Sequence, residues 1–270
     1  MLHVDSISKT FNPGSVNKKT ALQKITLYLN PGEVVTIIGG NGAGKSTLLN
    51  AIAGVISIDQ GKILLEGKEI QNQQEHIRAR RIGRVFQDPM LGTASSMTIE
   101  ENLAMAIRRG KPKGLRNGVT RKEREVFREQ LALLELGLED RLSAKVGLLS
   151  GGQRQALTLL IATITTPPLL LLDEHTAALD PKTAAKVMDL TRTIVEENKL
   201  TTLMVTHNME LALSFGSRTL MLHEGTILID IQGEQRANTR VSDLLTMFEK
   251  ASGNALQNDR MLLINYQENI

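Results

Sequence analysis

Apolar residues along the chain follow two rhythms. Short apolar or alternating runs bounded by turn residues predict strands over residues 2–7, 34–38, 63–65, 82–86, 169–173, 202–206, 219–222 and 226–231. Helix-period stretches separate them, and this alternation implies an α/β core containing parallel strands. From about Asp88 to Ala162 the rhythm changes, and no convincing strand is predicted. Two helix starts fall there instead. Thr98-Ile99-Glu100-Glu101 and Thr120-Arg121-Lys122-Glu123 both match the capping box, in which threonine and glutamate each satisfy a free backbone N–H. Gly137 is the expected stop of the second helix. The pattern therefore predicts a helical subdomain inserted into an α/β core.

The first candidate chemistry lies directly after the predicted strand 34–38. Gly39, Gly40, Asn41, Gly42, Ala43, Gly44, Lys45, Ser46 and Thr47 fit the phosphate-cradling pattern G-x-x-x-x-G-K-[ST], and Ser46-Thr47-Leu48-Leu49 opens a helix-like stretch. Glycines let the backbone curl so that successive N–H groups point at a polyphosphate. The following helix adds free N–H groups and the positive end of its dipole. Lys45 supplies a point charge for the β- and γ-phosphates, and the Ser46 hydroxyl a ligand for Mg²⁺. These residues predict a nucleoside triphosphate site.

A second run, Leu169-Leu170-Leu171-Leu172-Asp173-Glu174, is a buried strand that delivers two carboxylates to the carboxyl edge of the sheet. Asp173 is expected to hold Mg²⁺ directly or through water, completing what Ser46 begins. Glu174, pointing elsewhere, can polarise a water for attack on the γ-phosphate.

Composition changes this picture little. The 270 residues, 41% hydrophobic and 23% charged, suit an ordinary soluble globular protein. No apolar run reaches the length of a membrane span, and the N-terminal residues lack the layout of a secretion signal. The absence of cysteine excludes disulfides, thiolate metal sites and a catalytic thiol, and fits a cytoplasmic location. A net charge of +3 is too small to argue for nucleic acid.

Leu149-Ser150-Gly151-Gly152-Gln153 is the third run. Ahead of the helix-like stretch 153–161 it makes another anion cradle of hydroxyl, backbone N–H groups and helix N-terminus. Together with the two runs above, and in the same order, it resembles the ATP-binding cassette (ABC) ATPases, whose defining sequence is LSGGQ. The resemblance runs from Phe11 to about Gly225. It implies a P-loop NTPase (RecA-like) α/β core with an inserted α-helical subdomain and an antiparallel β edge. The expected layout is one ATPase domain over residues 1–230, with its core in 1–87 and 163–230, its helical subdomain in 88–162, and a C-terminal extension over 231–270.

The resemblance also implies roles. Phe11 matches the aromatic position that stacks on adenine, though read alone it is also a core phenylalanine ending a strand. Gln87 matches the glutamine that contacts Mg²⁺ or the attacking water, Asp180 the aspartate that reaches the opposite protomer, and His207 the histidine linking γ-phosphate, Glu174 and the partner. Each Ser150-Gly151-Gly152-Gln153 is expected to cap ATP bound by the other protomer of a head-to-tail homodimer. His175 stands where many relatives have proline; it is expected to lie near the γ-phosphate and is read as a tolerated variant.

As implied by the family, such a chain is a peripheral subunit on the cytoplasmic face of the cell membrane. It energises transport through separate integral membrane permease subunits, docked near residues 92–98. The stretches 88–103 and DEHTAALDP are similar to ATPases of importers whose binding proteins take tryptophan, tyrosine or related solutes. That implies an extracytoplasmic substrate-binding protein and import of a small organic solute such as an aromatic amino acid. Export or lipid transport, and a soluble role without a permease, are the alternatives. Residues Arg108 to Arg124 carry eight basic side chains against one acid; they read either as a solvated loop or as a contact for anionic headgroups or a partner's cytoplasmic face.

Overall fold

A computed structural model describes residues 1–111 and 118–252. The chain divides into two compact units, Met1–Arg78 with Thr201–Ile270, and Ala79–Leu200. In chain order, the first unit opens with β1 (Leu2–Phe11), β2 (Lys19–Leu29), β3 (Val34–Ile38), α1 (Lys45–Ala53), β4 (Gln60–Leu65), β5 (Lys68–Glu69) and α2 (Glu75–Arg78). The second unit holds β6 (Ile82–Val85), α3 (Ile99–Ile107), α4 (Arg121–Ala132), α5 (Gly151–Thr163), β7 (Leu169–Asp173) and α6 (Pro181–Glu197). The first unit resumes with β8 (Thr201–Val205), α7 (Met209–Ser214), β9 (Arg218–His223), β10 (Thr226–Gln232), α8 (Gly233–Asn238) and α9 (Val241–Ser252).

In the first unit, β2, β1, β4 and β5 form an antiparallel sheet in that order. Its inner face carries Leu2, Val4, Ile7, Ile25, Leu27, Leu29, Ile63 and Leu65, all buried. The second β-layer of this unit runs β10-β9-β3-β8, with β3 parallel to both of its neighbours and β10 antiparallel to β9. A cluster of Ile38, Met209, Ala212, Met221, Ile229, Leu244 and Phe248 packs α7 and α9 onto it. Helix α1 is pinned at its far end: Arg78 Nη1 donates to Ala51 O at 2.8 Å and Ile52 O at 3.0 Å, a cation on the negative end of the helix dipole.

The second unit pairs β6 with β7 in parallel, Val85 opposite Leu172. Its core joins α3, α4 and α5 through Ile99, Leu103, Phe127, Leu131, Leu157 and Leu160. Both predicted capping boxes are present, at Thr98 with Glu101 and at Thr120 with Glu123.

The structure corrects the sequence reading in places. Strand β2 was not predicted, and α4 ends at Ala132 rather than at Gly137. After Ala132 the chain tightens into successive i→i−3 turns, with Leu134 N on Leu131 O and Glu135 N on Ala132 O, and Glu135 at φ 52°. Gly137, at φ 66°, turns the chain only after the helix has stopped.

Candidate functional site

In the first unit the candidate residues gather at one edge. Ile37 and Val205 are paired on β3 and β8, and Thr206 N donates to Ile37 O at 3.1 Å. Gly39 and His207 therefore leave neighbouring parallel strands at the same level. Gly39, Gly42 and Gly44 take φ of 149°, 82° and 106° as the loop curls into α1. Side chains are excluded there: a Cβ on Gly39 would lie 2.2 Å from Leu222 O, and one on Gly44 2.5 Å from Ala21 O. Lys45, buried, donates from Nζ to Gly39 O at 2.7 Å and Gly40 O at 3.1 Å, so its ammonium is held inside the loop. Gly40 and Ala43 are buried; Asn41 and Ser46 are exposed and Thr47 half-buried at the helix start. A curled loop enclosing a cation and opening onto a helix N-terminus can hold a polyphosphate.

Phe11 ends β1 at 36% exposure, with the Lys9 ammonium 5.7 Å from its ring centroid. Phe11 is thus at the surface rather than closed in a core. Lys19, opposite Phe11 in the β1–β2 register, reaches the glycine loop; a Cβ on Gly42 would meet its Nζ at 3.2 Å. Sequence reading missed Lys19 because it missed β2. A hairpin joining residues 11 and 19 is the signal that would have found it.

In the second unit, Gln87 and Glu174 both lie two residues beyond the paired Val85 and Leu172, at the carboxyl ends of adjacent strands. Gln87 is exposed, and the backbone before it is held by fully buried Gln155, whose Nε2 donates to Phe86 O at 3.2 Å. Asp173 faces Arg84, with Nη2 3.4 Å from Oδ2. Glu174 has φ 46°, uncommon for a residue with a side chain, and its carbonyl accepts from Ala177 N at 3.0 Å, closing a turn.

The His175 ring is buried, and its Nε2 contacts Thr191 Oγ1 of α6 at 3.1 Å. Burial pushes its pKa down to about 4.

The N-termini of α5 and α6 carry the remaining candidates. Ser150 caps α5: Gln153 N donates to Ser150 Oγ at 3.3 Å, and Ser150 N to Gln153 Oε1 at 3.2 Å. Arg154 braces the turn before it by donating to Gly147 O and Leu149 O. Gly152 is needed for packing, since a Cβ there would lie 2.2 Å from Thr183 Cγ2 of α6. Asp180 caps α6 by accepting from Thr183 N at 3.1 Å; its hydrogen bonds from Thr183 hold its carboxyl below the usual range. Gly151 and Ser150 are exposed.

Among the described residues, no three His, Cys, Asp or Glu side chains gather into a metal cluster. The oxygen donors expected for Mg²⁺ are divided between the units, Ser46 in the first and Gln87 and Asp173 in the second; each is of the hard-oxygen kind that Mg²⁺ takes alongside waters and phosphate oxygens. Among the described residues no helix is long and apolar enough to cross a membrane. In the basic run, Arg108 pairs with Glu123, Arg124 with Glu100 and Arg121 with Glu125. Lys113 and Arg116 lie outside the described residues.

Residues 22–177 match the family profile described as ABC transporter. A tyrosine transport ATP-binding protein of Clostridioides difficile (strain R20291) is 44% identical over 251 residues, spanning 93% of this chain and 100% of that protein. A phosphonates import ATP-binding protein, PhnC, of Alcaligenes faecalis is 35% identical, covering 85% of this chain and 82% of its own. Among solved structures, a dimeric ATP-binding cassette in a post-hydrolysis state, bound to ADP and Pi, matches with a TM-score of 0.74 at 30% identity, over 86% of this chain and 98% of that one.

Proposed function

Because the chain belongs to the ABC transporter family of ATPases, we propose that it is the ATP-binding and ATP-hydrolysing subunit of an importer for a small organic solute such as an aromatic amino acid. The carrying observation is the curled loop from Gly39 to Ser46, which encloses Lys45 and excludes side chains by backbone contact. Full-length similarity to a tyrosine transport ATP-binding protein supports the choice of cargo.

In this reading Lys45 and the loop N–H groups hold the β- and γ-phosphates, and the surface ring of Phe11 stacks on adenine. Ser46, Asp173 and Gln87 hold Mg²⁺, which supplies charge neutralisation across the phosphates. Glu174 takes a proton from the attacking water, and His207 orients the terminal phosphate. Two copies pair head to tail in the ATP state, so that Ser150, Gly151, Gly152 and Gln153 of one, with Asp180, close over the nucleotide of the other. The dimer sits on the cytoplasmic face of the membrane against integral permease subunits, contacting them through residues 92–98, with an extracytoplasmic binding protein on the other side. Residues 88–162 act as the helical subdomain of a single ATPase domain over 1–230. Nucleic acid has no part.

Tagged chain purified from membranes of its own cells should retain an integral membrane protein. The reconstituted complex should take up labelled tyrosine or tryptophan only with ATP, and Lys45→Ala should abolish uptake and ATP binding together. Uptake unchanged in Lys45→Ala would refute the reading; outward movement of a lipid probe instead would replace import by export.

A further inference from the structure

We propose that His175 is a positioning residue for hydrolysis: by anchoring to Thr191 on α6, it fixes the backbone on which the Glu174 carboxylate stands. The inference rests on the reading of Glu174 as the group that activates water.

Several features of one turn converge on this role. Glu174 leaves β7 at φ 46°, a left-handed conformation that costs a residue with a Cβ about 1 kcal/mol and persists only where the surroundings impose it. Two restraints on that peptide are visible. The Glu174 carbonyl accepts from Ala177 N at 3.0 Å. On its other side the next residue sends a fully buried imidazole to α6.

The hydrogen-bond network fixes the direction of that contact. Thr191 Oγ1 donates its only hydrogen to Val187 O at 2.7 Å. The 3.1 Å contact with His175 Nε2 must then be a bond that the ring donates, so Nε2 carries a hydrogen. The result is an unbroken line from Val187 O through Thr191 and His175 to the peptide following Glu174. A buried histidine with a satisfied donor holds one orientation, because rotating it would leave that donor unpaired. The carboxylate of Glu174 is one side chain away from this clamp, and loss of an ångström of placement at a reacting group is enough to slow chemistry by about 100-fold.

The test is single-turnover hydrolysis at saturating Mg-ATP, with nucleotide affinity and thermal unfolding measured on the same preparations. His175→Leu fills the space without the donor, and should lower the chemical rate by roughly 10- to 100-fold while ATP affinity stays within about twofold. Thr191→Val, which removes the acceptor, should lower the rate in the same direction; Thr191→Ser, which keeps it, should not. His175→Gln retains an N–H at similar reach and should restore most of the rate. In a Glu174→Gln background, His175→Leu should add no further loss, because the group it positions is gone.

A wild-type rate in both His175→Leu and Thr191→Val would overturn the proposal. So would an additional loss in the Glu174→Gln background, or a fall in rate matched by an equal fall in folded, nucleotide-binding protein. If His175→Leu does not fold, the Thr191→Val and Thr191→Ser pair decides alone. Glu174→Gln hydrolysing at the wild-type rate would instead refute the role given to Glu174, whatever His175 does.

Discussion

Arg84 and Asp173 face each other across the parallel pair β6 and β7, with Nη2 3.4 Å from Oδ2 and only 12% and 14% of their side chains exposed. The guanidinium also lies over the Phe86 ring, 4.5 Å from its centroid. If Asp173 holds Mg²⁺, Arg84 competes with the metal for the same carboxylate. Replacing Arg84 by methionine keeps the stem and removes the charge. Loss of an attraction worth about 1 kcal/mol corresponds to roughly a fivefold shift in an equilibrium. Arg84→Met should therefore reach half-maximal ATPase at about fivefold lower Mg²⁺, read from a magnesium titration at fixed ATP. An unchanged midpoint would remove either Asp173 from the metal or Arg84 from the competition.

Gly39 combines φ 149° with a backbone oxygen, Leu222 O, 2.2 Å from where its Cβ would be. A carbonyl on a strand cannot swing aside as a flexible side chain can. Gly39→Ala should lose about 2 kcal/mol or more of stability, seen as a lower urea midpoint, and with it ATP binding. Gly42→Ala meets only the mobile Lys19 Nζ at 3.2 Å, though at φ 82°, and should lose less. Equal losses would mean that left-handed backbone, rather than the Leu222 contact, sets the requirement.

The glycine loop was legible because everything it needs is contiguous: strand, curl, lysine and helix start follow one another from Val34 to Ala53. The four-leucine strand ending at Asp173 was legible for the same reason. Strand β2 was not, because its alternation breaks. Ala21 and Leu22 are both buried, Gln23 and Lys24 both exposed, and Lys24 takes φ 51° where the register with β1 slips between Ile7 and Lys9. A bulge adds a residue and resets a period of two, so the run reads as patternless. The partners of Asp173 and His175 were invisible for another reason. Arg84 and Thr191 are 89 and 16 residues away, and only the fold brings them in. The same holds for Gln155 behind Phe86, 69 residues apart, which no local pattern announces.

His175 also makes the fold sensitive to acid. Its pKa falls from 6.5 to about 4 on burial, so both states are neutral above about pH 6.5 and the ring then has no pH-linked cost. As pH falls from 6.5 towards 4, the unfolded chain takes up the proton and the folded chain does not, which favours unfolding. Between pH 7 and 4.5 the wild type should lose about 2–3 kcal/mol more stability than His175→Gln, from denaturant midpoints at each pH. Parallel pH curves would mean that the ring gains a proton in the folded state without penalty.

Ser150 presents two roles that one substitution can separate. In the chain it caps α5, exchanging hydrogen bonds with Gln153 at 3.3 and 3.2 Å. In the proposed dimer it faces the phosphates of the other protomer's ATP. Ser150→Ala removes the cap and should cost about 1 kcal/mol. Aspartate caps as well as serine, and its charge suits a helix N-terminus. Ser150→Asp should therefore unfold at or above the wild-type urea midpoint. Opposite a polyphosphate, however, the same charge repels. In a Glu174→Gln background, where ATP should remain clasped and the chain run as an ATP-dependent dimer in gel filtration, adding Ser150→Asp should return it to monomer. Adding Ser150→Ala should leave part of the dimer. A stable Ser150→Asp chain that still dimerises with ATP would mean that no phosphate lies against this cap, and that Ser150 serves only the helix it begins.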